Sequence, residues 1–525
     1  MSQAAQGGED IAALAKGGRT KFLGFLLRLA ARLPFLFIAG RIYGAESLGR
    51  FAYAVLVVEF AAQIATLGLK RGLAQQLSST DKPHVCVVWD GMLVAFIAST
   101  IATILLALFP QMMFPNSRVI GLEWLLPLVV FAVAGSDVAL AALAYRHNVR
   151  ATVTARAIVE PWTISIAAFL LSFLSSRDGL IIAYVISMVA ALAASLWPLF
   201  REYGRPHGWR PAPGTLWTMA RRNTPLAAAD AIEWGSRRLD IAILGLFFSP
   251  AIVGIYYVAQ QVASLPQKLK TSFDPILGPV ITQKLAEKDL KAVAKQVRQV
   301  GFWIIAAQAG IALALGIPGE AVMGLVGPNF VGGTGALAFL LAAEAVAATA
   351  VVSESALVYI ARHRNLMISL LMIAIQAALS VALIVGLRAV RLPAWMVERF
   401  ALPGDRLPES FAAAGPAVAL MLALGISSVL KARLLGRLLG APVQGWRWPI
   451  VWASAAAIAV GYAFTLLPRS FEWVELAIGI PVILGVFGAI IWKRGFTHED
   501  RVLFRLKSSD EPTLPPPRGT VPPER

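Results

Sequence analysis

The sequence predicts an all-α polytopic membrane protein with about fourteen transmembrane helices. Of its 525 residues, 58% are hydrophobic, and the mean hydropathy is +0.69, more apolar than a soluble chain of this length sustains. The apolar residues come in repeated runs long enough to cross a hydrocarbon core of ~30 Å. Of the 47 lysines and arginines, 32 fall in or beside the termini and the connections after even-numbered runs, 9 on the other side and 6 inside runs, so one side of the bundle is basic. By the positive-inside rule both termini are expected in the cytoplasm. The same asymmetry absorbs most of the net charge of +17. Nucleic acid is therefore not an expected partner, and the basic connections are expected to lie against anionic membrane lipids.

The elements follow in chain order. Segment 1–20 is polar and glycine-rich, with no apolar core for a removable signal, so it is expected to be cytoplasmic and the first run to act as the anchor. The runs then fall near 22–43, 48–69, 85–109, 119–144, 153–175, 179–200, 225–248, 251–280, 299–317, 336–361, 365–387, 411–430, 448–467 and 472–492. The expected organisation is a first lobe over 21–205 (spans one to six) and a second over 206–435 (spans seven to twelve). Spans thirteen and fourteen follow in 436–494, with a cytoplasmic tail over 495–525. The tail "KSSDEPTLPPPRGTVPPER" is polar and proline-rich, the composition of a disordered segment. The two longest outer connections, 318–335 and 388–410, are too short for a soluble domain. The first is expected to dip into the interface, and "LPAWMVERF" in the second to form a short interfacial helix. The lone cysteine, Cys86, excludes disulfides, the five histidines fall in connections or tail, and no cluster suggests a metal or other cofactor.

Two short stretches suggest an internal repeat. "AESLGRFAYA" (45–54) enters span two and "PAIVGIYYVA" (250–259) enters span eight. Each has a small opening residue, an apolar-glycine pair, an aromatic residue two positions later and a closing alanine. Six spans separate them, so both copies point the same way, as in parallel halves about an axis along the membrane normal.

Charges inside the spans point to function. Arg28 and Arg32 lie ~9 and ~15 Å in from Phe22 at ~1.5 Å per residue, where a lipid-facing arginine costs at least ~2.5 kcal/mol. Span seven, "AAADAIEWGSRRLDIAILGLFF", carries Asp230, Glu233, Arg237 and Asp240 within a stripe of about 80° on a regular helix, with Arg238 to one side. The spacing allows Glu233–Arg237 and Arg237–Asp240 contacts. Further acids, including Glu59, Asp137, Glu160, Asp274, Glu344 and Glu354, are spread over other spans. The pattern implies a water-filled cavity with a cationic spot on its wall. The planar arginine fork suits phosphate and pyrophosphate.

The stretches "RLAARLPFLFIAGRIYGAESLGRFAYA" (28–54), "RRLDIAILGLFFSPAIVGIYYVAQQV" (237–262), "MGLVGPNFVGGTGALAFLLAA" (323–343) and "ALVYIARHRNLMISLLMIAI" (356–375) give the chain its likeness to a known family. It resembles the polysaccharide transporter family, the O-antigen-type flippases, of the multidrug/oligosaccharidyl-lipid/polysaccharide exporter superfamily. The resemblance implies two pseudo-symmetric six-helix lobes plus two C-terminal helices. It implies alternating-access transport, without catalysis, of undecaprenyl-pyrophosphate-linked oligosaccharide across the bacterial plasma (inner) membrane. Arg28, Arg32, Arg237 and Arg238 would bind the pyrophosphate. Glu59, Asp230, Glu233 and Asp240 are candidate coupling or structural acids, with H+ or Na+ as coupling ion and the polysaccharide polymerase machinery as a partner. A cation-coupled multidrug exporter and a membrane glycosyltransferase or polymerase are the competing readings. The exporter would want acids to dominate the cavity, and the enzyme would need catalytic groups on the short connection 388–410.

Overall fold

A backbone in lipid has no water to bond, so each apolar run must close its own hydrogen bonds, and the α-helix does so within one segment. The computed structural model describes residues 33–271, 289–389, 407–468 and 471–497, and every regular element among them is helical. In chain order these are α1 (33–43), α2 (Gly44–Ala65), α3 (Leu69–Ser78), α4 (His84–Leu108), α5 (Val129–Tyr145), α6 (Val149–Ser172) and α7 (Gly179–Tyr203). The chain continues through α8 (Pro213–Ser236), α9 (Leu239–Phe247), α10 (Pro250–Thr271), α11 (Leu290–Gly316), α12 (Gly319–Val326) and α13 (Thr334–Ile360). It ends with α14 (Arg362–Ala389), α15 (Leu407–Ala413), α16 (Gly415–Leu439), α17 (Pro449–Thr465) and α18 (Glu472–Gly495). Ten of the described helical stretches are long and apolar enough to cross a membrane. This is an all-α, multi-pass membrane protein.

Several helices outrun their apolar segments. α8 begins at Pro213 rather than near 225, and α11 at Leu290 rather than near 299. The carboxylate of Asp289 caps α11 by accepting from the Ala292 N–H at 3.0 Å. α16 runs to Leu439, and Gly440 ends it in the left-handed region at φ 64°. These extensions are amphipathic, so hydropathy alone stops short of them. Span seven is interrupted: α8 ends at Ser236 with Arg237 as its C-cap, Arg238 takes φ −132°, and α9 restarts at Leu239. The connection 318–335 folds as α12 and a 3-10 turn and packs on α1, where Arg41 Nε donates to the Leu325 carbonyl at 3.0 Å. The segment "LPAWMVERF" and both termini lie outside the described residues.

The bundle is organised around α2, which packs against α4, α5, α8 and α10. Its crossing with α10 joins the two repeated stretches. A Cβ on Gly49 would collide with the Pro250 carbonyl oxygen, and a Cβ on Gly254 with the Ala45 carbonyl oxygen. The contact is reciprocal: the glycine of each copy meets the backbone one turn before the glycine of the other. Such small-residue crossings let helix backbones approach where no hydrophobic effect drives association. One apolar cluster surrounds this crossing, a second joins α3 to α7 near the basic end, and a third joins α11, α13, α16, α17 and α18. Large apolar side chains such as Phe96, Ile101, Phe173 and Trp197 remain exposed, a lipid-facing boundary. Helices differ in how far they face it: 72% of the most apolar stretch in Gly121–Tyr145 is buried within protein, against 17% for α14.

Gly49→Ala should therefore destabilise the bundle by about 3 kcal/mol, the upper end for overpacking, because the obstacle is backbone. Gly386→Ala, where a Cβ meets nothing within 4 Å, is the control. Thermal unfolding in detergent should show a lowered midpoint for the first and none for the second.

Candidate functional site

Glu59 and Gln63 stand one turn apart on α2 and face a cavity of about 500 Å³. α3 contributes Lys70, α5 contributes Asp137 and Ala141, α6 contributes Thr152, Arg156 and Glu160, α7 contributes Met188 and α8 contributes Trp234. The volume lies in the range of small-molecule sites. Arg156 lies within a π-wound stretch of α6, Thr154–Val159, and Glu160 directly follows it; such irregularities are often found at functional sites.

The charges in this cavity are paired. Arg156 forms ion pairs with Asp137 and, at 2.8 Å, with Glu160. Lys70 Nζ lies 3.6 Å from Asp137, and Gln63 Nε2 donates to Asp137 at 3.5 Å. Glu59 accepts from the Tyr184 hydroxyl at 3.4 Å and pairs with Arg238 at 3.0 Å. The Arg238 guanidinium lies over the Trp234 ring at 4.7 Å, a favourable cation–π position. The described cluster thus matches three carboxylates with three cations. A charge at membrane depth is tolerated when it faces protein or water and finds a partner.

The residues predicted from sequence separate in the structure. Arg28 and Arg32, with the acid Asp274, lie outside the described residues. Arg238 and Glu59 meet at the cavity. Arg237, Glu233 and Asp230 instead form a seam at the basic end: Arg237 pairs with Glu233 at 3.2 Å, and Arg71 of α3 pairs with Glu233 at 2.7 Å and with Asp230 at 2.9 Å. The expected Arg237–Glu233 contact forms. Asp240 leaves the stripe because the helix breaks at Arg237–Arg238. It is fully buried, accepting from the Tyr256 hydroxyl at 2.8 Å and from Gln260 at 3.1 Å. Glu354 pairs with Lys431 at 3.1 Å. Arg156 and Lys70 were missed as site residues because they lie at the edges of their apolar runs. The Arg156–Glu160 spacing of four inside an otherwise apolar stretch was the available signal.

The seam also brings backbones close. Gly68, at φ 69°, opens α3, and a Cβ there would stand 2.6 Å from the Ala227 nitrogen. A Cβ on Gly72 would collide with the Asn223 side chain. At the opposite end Asn116 Nδ2 donates to the carbonyls of Gly245 at 2.8 Å and Phe248 at 3.0 Å. The bundle is therefore bridged both at its basic end and at the opposite end.

Residues 38–314 match the family described as polysaccharide biosynthesis protein. The chain belongs to that family. Among solved structures, this polysaccharide biosynthesis protein is similar to the lipid II flippase MurJ in an inward closed conformation, at 12% identity and a TM-score of 0.64, covering 90% of this chain and 99% of that one. It is similar to an inward-facing multidrug resistance MATE family transporter of the MOP superfamily, at 13% identity and a TM-score of 0.57, covering 79% and 98%. It is also similar to a MOP superfamily transporter from Pyrococcus furiosus, at 12% identity and a TM-score of 0.52, covering 81% and 96%. At these identities the likeness shows the fold, that of MOP-superfamily flippases and transporters. No curated protein matches the sequence.

Two outcomes test the geometry. The Arg156–Asp137 pair, with side chains 17% and 8% exposed, lies between an exposed pair worth ~1 kcal/mol and a buried one whose disruption costs ~3–5 kcal/mol. Arg156→Gln and Asp137→Asn should each lower the unfolding midpoint, and the double variant should lose less than the sum of the two. Additive losses would show that the pair is not coupled. At the seam, Arg71→Gln leaves Asp230 buried without its cation, and opening would hydrate it. In a Cys86→Ser background, Ala141→Cys should react with maleimide about fivefold faster when Arg71→Gln is added, the equivalent of ~1 kcal/mol. An unchanged rate would mean that the seam does not limit access to the cavity.

Proposed function

We propose that this membrane protein is a flippase for undecaprenyl-pyrophosphate-linked oligosaccharide, moved across the bacterial plasma membrane for surface polysaccharide synthesis. The observation that carries the reading is the charged cavity among apolar helices, in a member of a polysaccharide biosynthesis family with the fold of flippases and transporters. One of the similar structures is a lipid II flippase, and a lipid-linked sugar is the matching substrate class here. The lobes 21–205 and 206–435 would rock about the α2–α10 crossing. With both termini cytoplasmic, the Arg71 seam faces the side where repeat units are built.

The chemistry is an exchange of partners. A pyrophosphate entering the cavity offers Arg156 and Arg238 a bidentate anion in place of their carboxylate partners. Arg28, Arg32 and Arg237 complete the cationic set on this reading. Each arginine that changes partner frees a carboxylate, Glu160 in one case and Glu59 in the other, while Asp137 keeps Lys70. A freed carboxylate in a confined site takes a cation, H+ or Na+, which ties substrate movement to an ion gradient. The same three acids favour a cation-coupled multidrug exporter as the second reading.

Deletion in the native cell separates the two. Loss of surface polysaccharide and accumulation of undecaprenyl-linked sugar, rescued by the wild type and not by Arg28→Ala/Arg32→Ala, is the expected result. Unchanged polymer with raised sensitivity to cationic drugs would replace the flippase reading with the exporter.

A further inference from the structure

A second cavity, of about 490 Å³, lies between the start of α14 and the end of α16, at the basic end of the bundle and away from the charged cavity. Arg364, Arg433 and Arg437 line it together with His363, and no acidic residue does. Its floor is apolar: Met367 and Ile368 from α14, Leu430 and Leu434 from α16.

Two features set it apart from the central site. In the central cavity every lining cation is paired. Here, among the described residues, none of the three arginines forms an ion pair. Arg433 and Arg437 are exposed and one helical turn apart, a like-charge spacing that disfavours the helix unless an anion sits between them. The same helix does neutralise its buried cation: Lys431 is 4% exposed, pairs with Glu354 at 3.1 Å and donates to Ser369 at 3.1 Å. The second feature is position. α14 is the described span least buried in protein, and Met367, one turn past the arginine on α14, is 67% exposed. The groove therefore opens to lipid, with charge at its mouth and apolar surface one to two turns deeper. Arg433 stands ~9 Å from the end of α16 at ~1.5 Å per residue, the depth at which a guanidinium reaches headgroups.

We propose that this groove is a binding site for one anionic phospholipid, its phosphate held by Arg364, Arg433 and Arg437 and its first acyl methylenes laid on Met367, Ile368, Leu430 and Leu434. Basic pockets between helices on the cytoplasmic side bind lipid phosphates in this manner. The site does not depend on what the central cavity carries.

Native mass spectrometry of the full-length protein in detergent tests it, with phosphatidylglycerol and phosphatidylcholine of identical acyl chains. The wild type should retain phosphatidylglycerol in preference. Arg364→Gln/Arg433→Gln/Arg437→Gln should weaken that retention by about fivefold per arginine removed and leave phosphatidylcholine unchanged. Equal retention of both lipids by the wild type, or undiminished phosphatidylglycerol on the triple variant, overturns the proposal. Displacement of phosphatidylglycerol by inorganic pyrophosphate, with the same arginine dependence, would make the site one for a soluble phosphate and also overturn it. If the triple variant does not fold, Arg437→Gln alone should show the single-arginine loss, and Leu434→Glu should abolish retention by placing an acid on the floor.

Discussion

The crossing of α2 and α10 at Gly49 and Gly254 is the contact on which the rest depends. Water drives apolar helices together in soluble proteins, but in lipid that drive is absent and close van der Waals fit must replace it. Here each glycine admits a carbonyl of the partner helix where any side chain would collide. With that crossing in place, α2 carries Glu59 and Gln63 to the cavity and delivers α3, with Lys70 and Arg71, to the basic end. The larger of the apolar clusters forms around it, including Tyr53 and Tyr256 from the two repeated stretches.

Charge follows a second rule, that a cation near lipid needs either a carboxylate or access to headgroups. The central cavity takes the first course, with Arg156 and Arg238 answered by Asp137, Glu160 and Glu59. The groove between α14 and α16 takes the second. The difference matters chemically. Paired arginines bind an anion only by exchange, which costs the lost pair and makes release feasible. Unpaired arginines bind one outright, which suits a resident ligand better than a transported one.

Much of the architecture was legible because lipid imposes a coarse pattern. Apolar runs long enough to cross a membrane predict the spans, and the two glycine-centred stretches mark helices of similar sequence. The structure places those stretches face to face. The amphipathic extensions of α8 and α11 were not legible, since their burial comes from neighbours rather than from hydropathy: α3 and α4 for α8, α13 and α16 for α11. The break at Arg237–Arg238 was hidden for a related reason: the charge stripe was drawn on an unbroken helix, and a turn there rotates Asp240 away to Tyr256 and Gln260. Arg156 escaped notice because it falls at the edge of its run, where a basic residue is ordinarily read as interfacial.

The two ends of the bundle are bridged by different kinds of interaction, and this bears on which opens. At one end helix backbones meet through Gly49 and Gly254, supported by the Asn116 hydrogen bonds. Separating that contact exposes backbone and gains no hydration of charge. At the basic end the closing groups are Arg71, Asp230 and Glu233, with the Arg71 and Glu233 side chains 55% and 52% exposed. A pair so exposed is worth ~1 kcal/mol or less. Asp230 is only 5% exposed while the seam is closed, so removing Arg71 alone leaves a buried carboxylate unanswered. Opening the whole seam hydrates Asp230 at the same moment, and the cost falls to that of the exposed pairs. On the proposed reading the basic end is therefore the side that opens readily, toward the compartment where the substrate is assembled, and movement toward the other side is the step that must draw on substrate and ion binding.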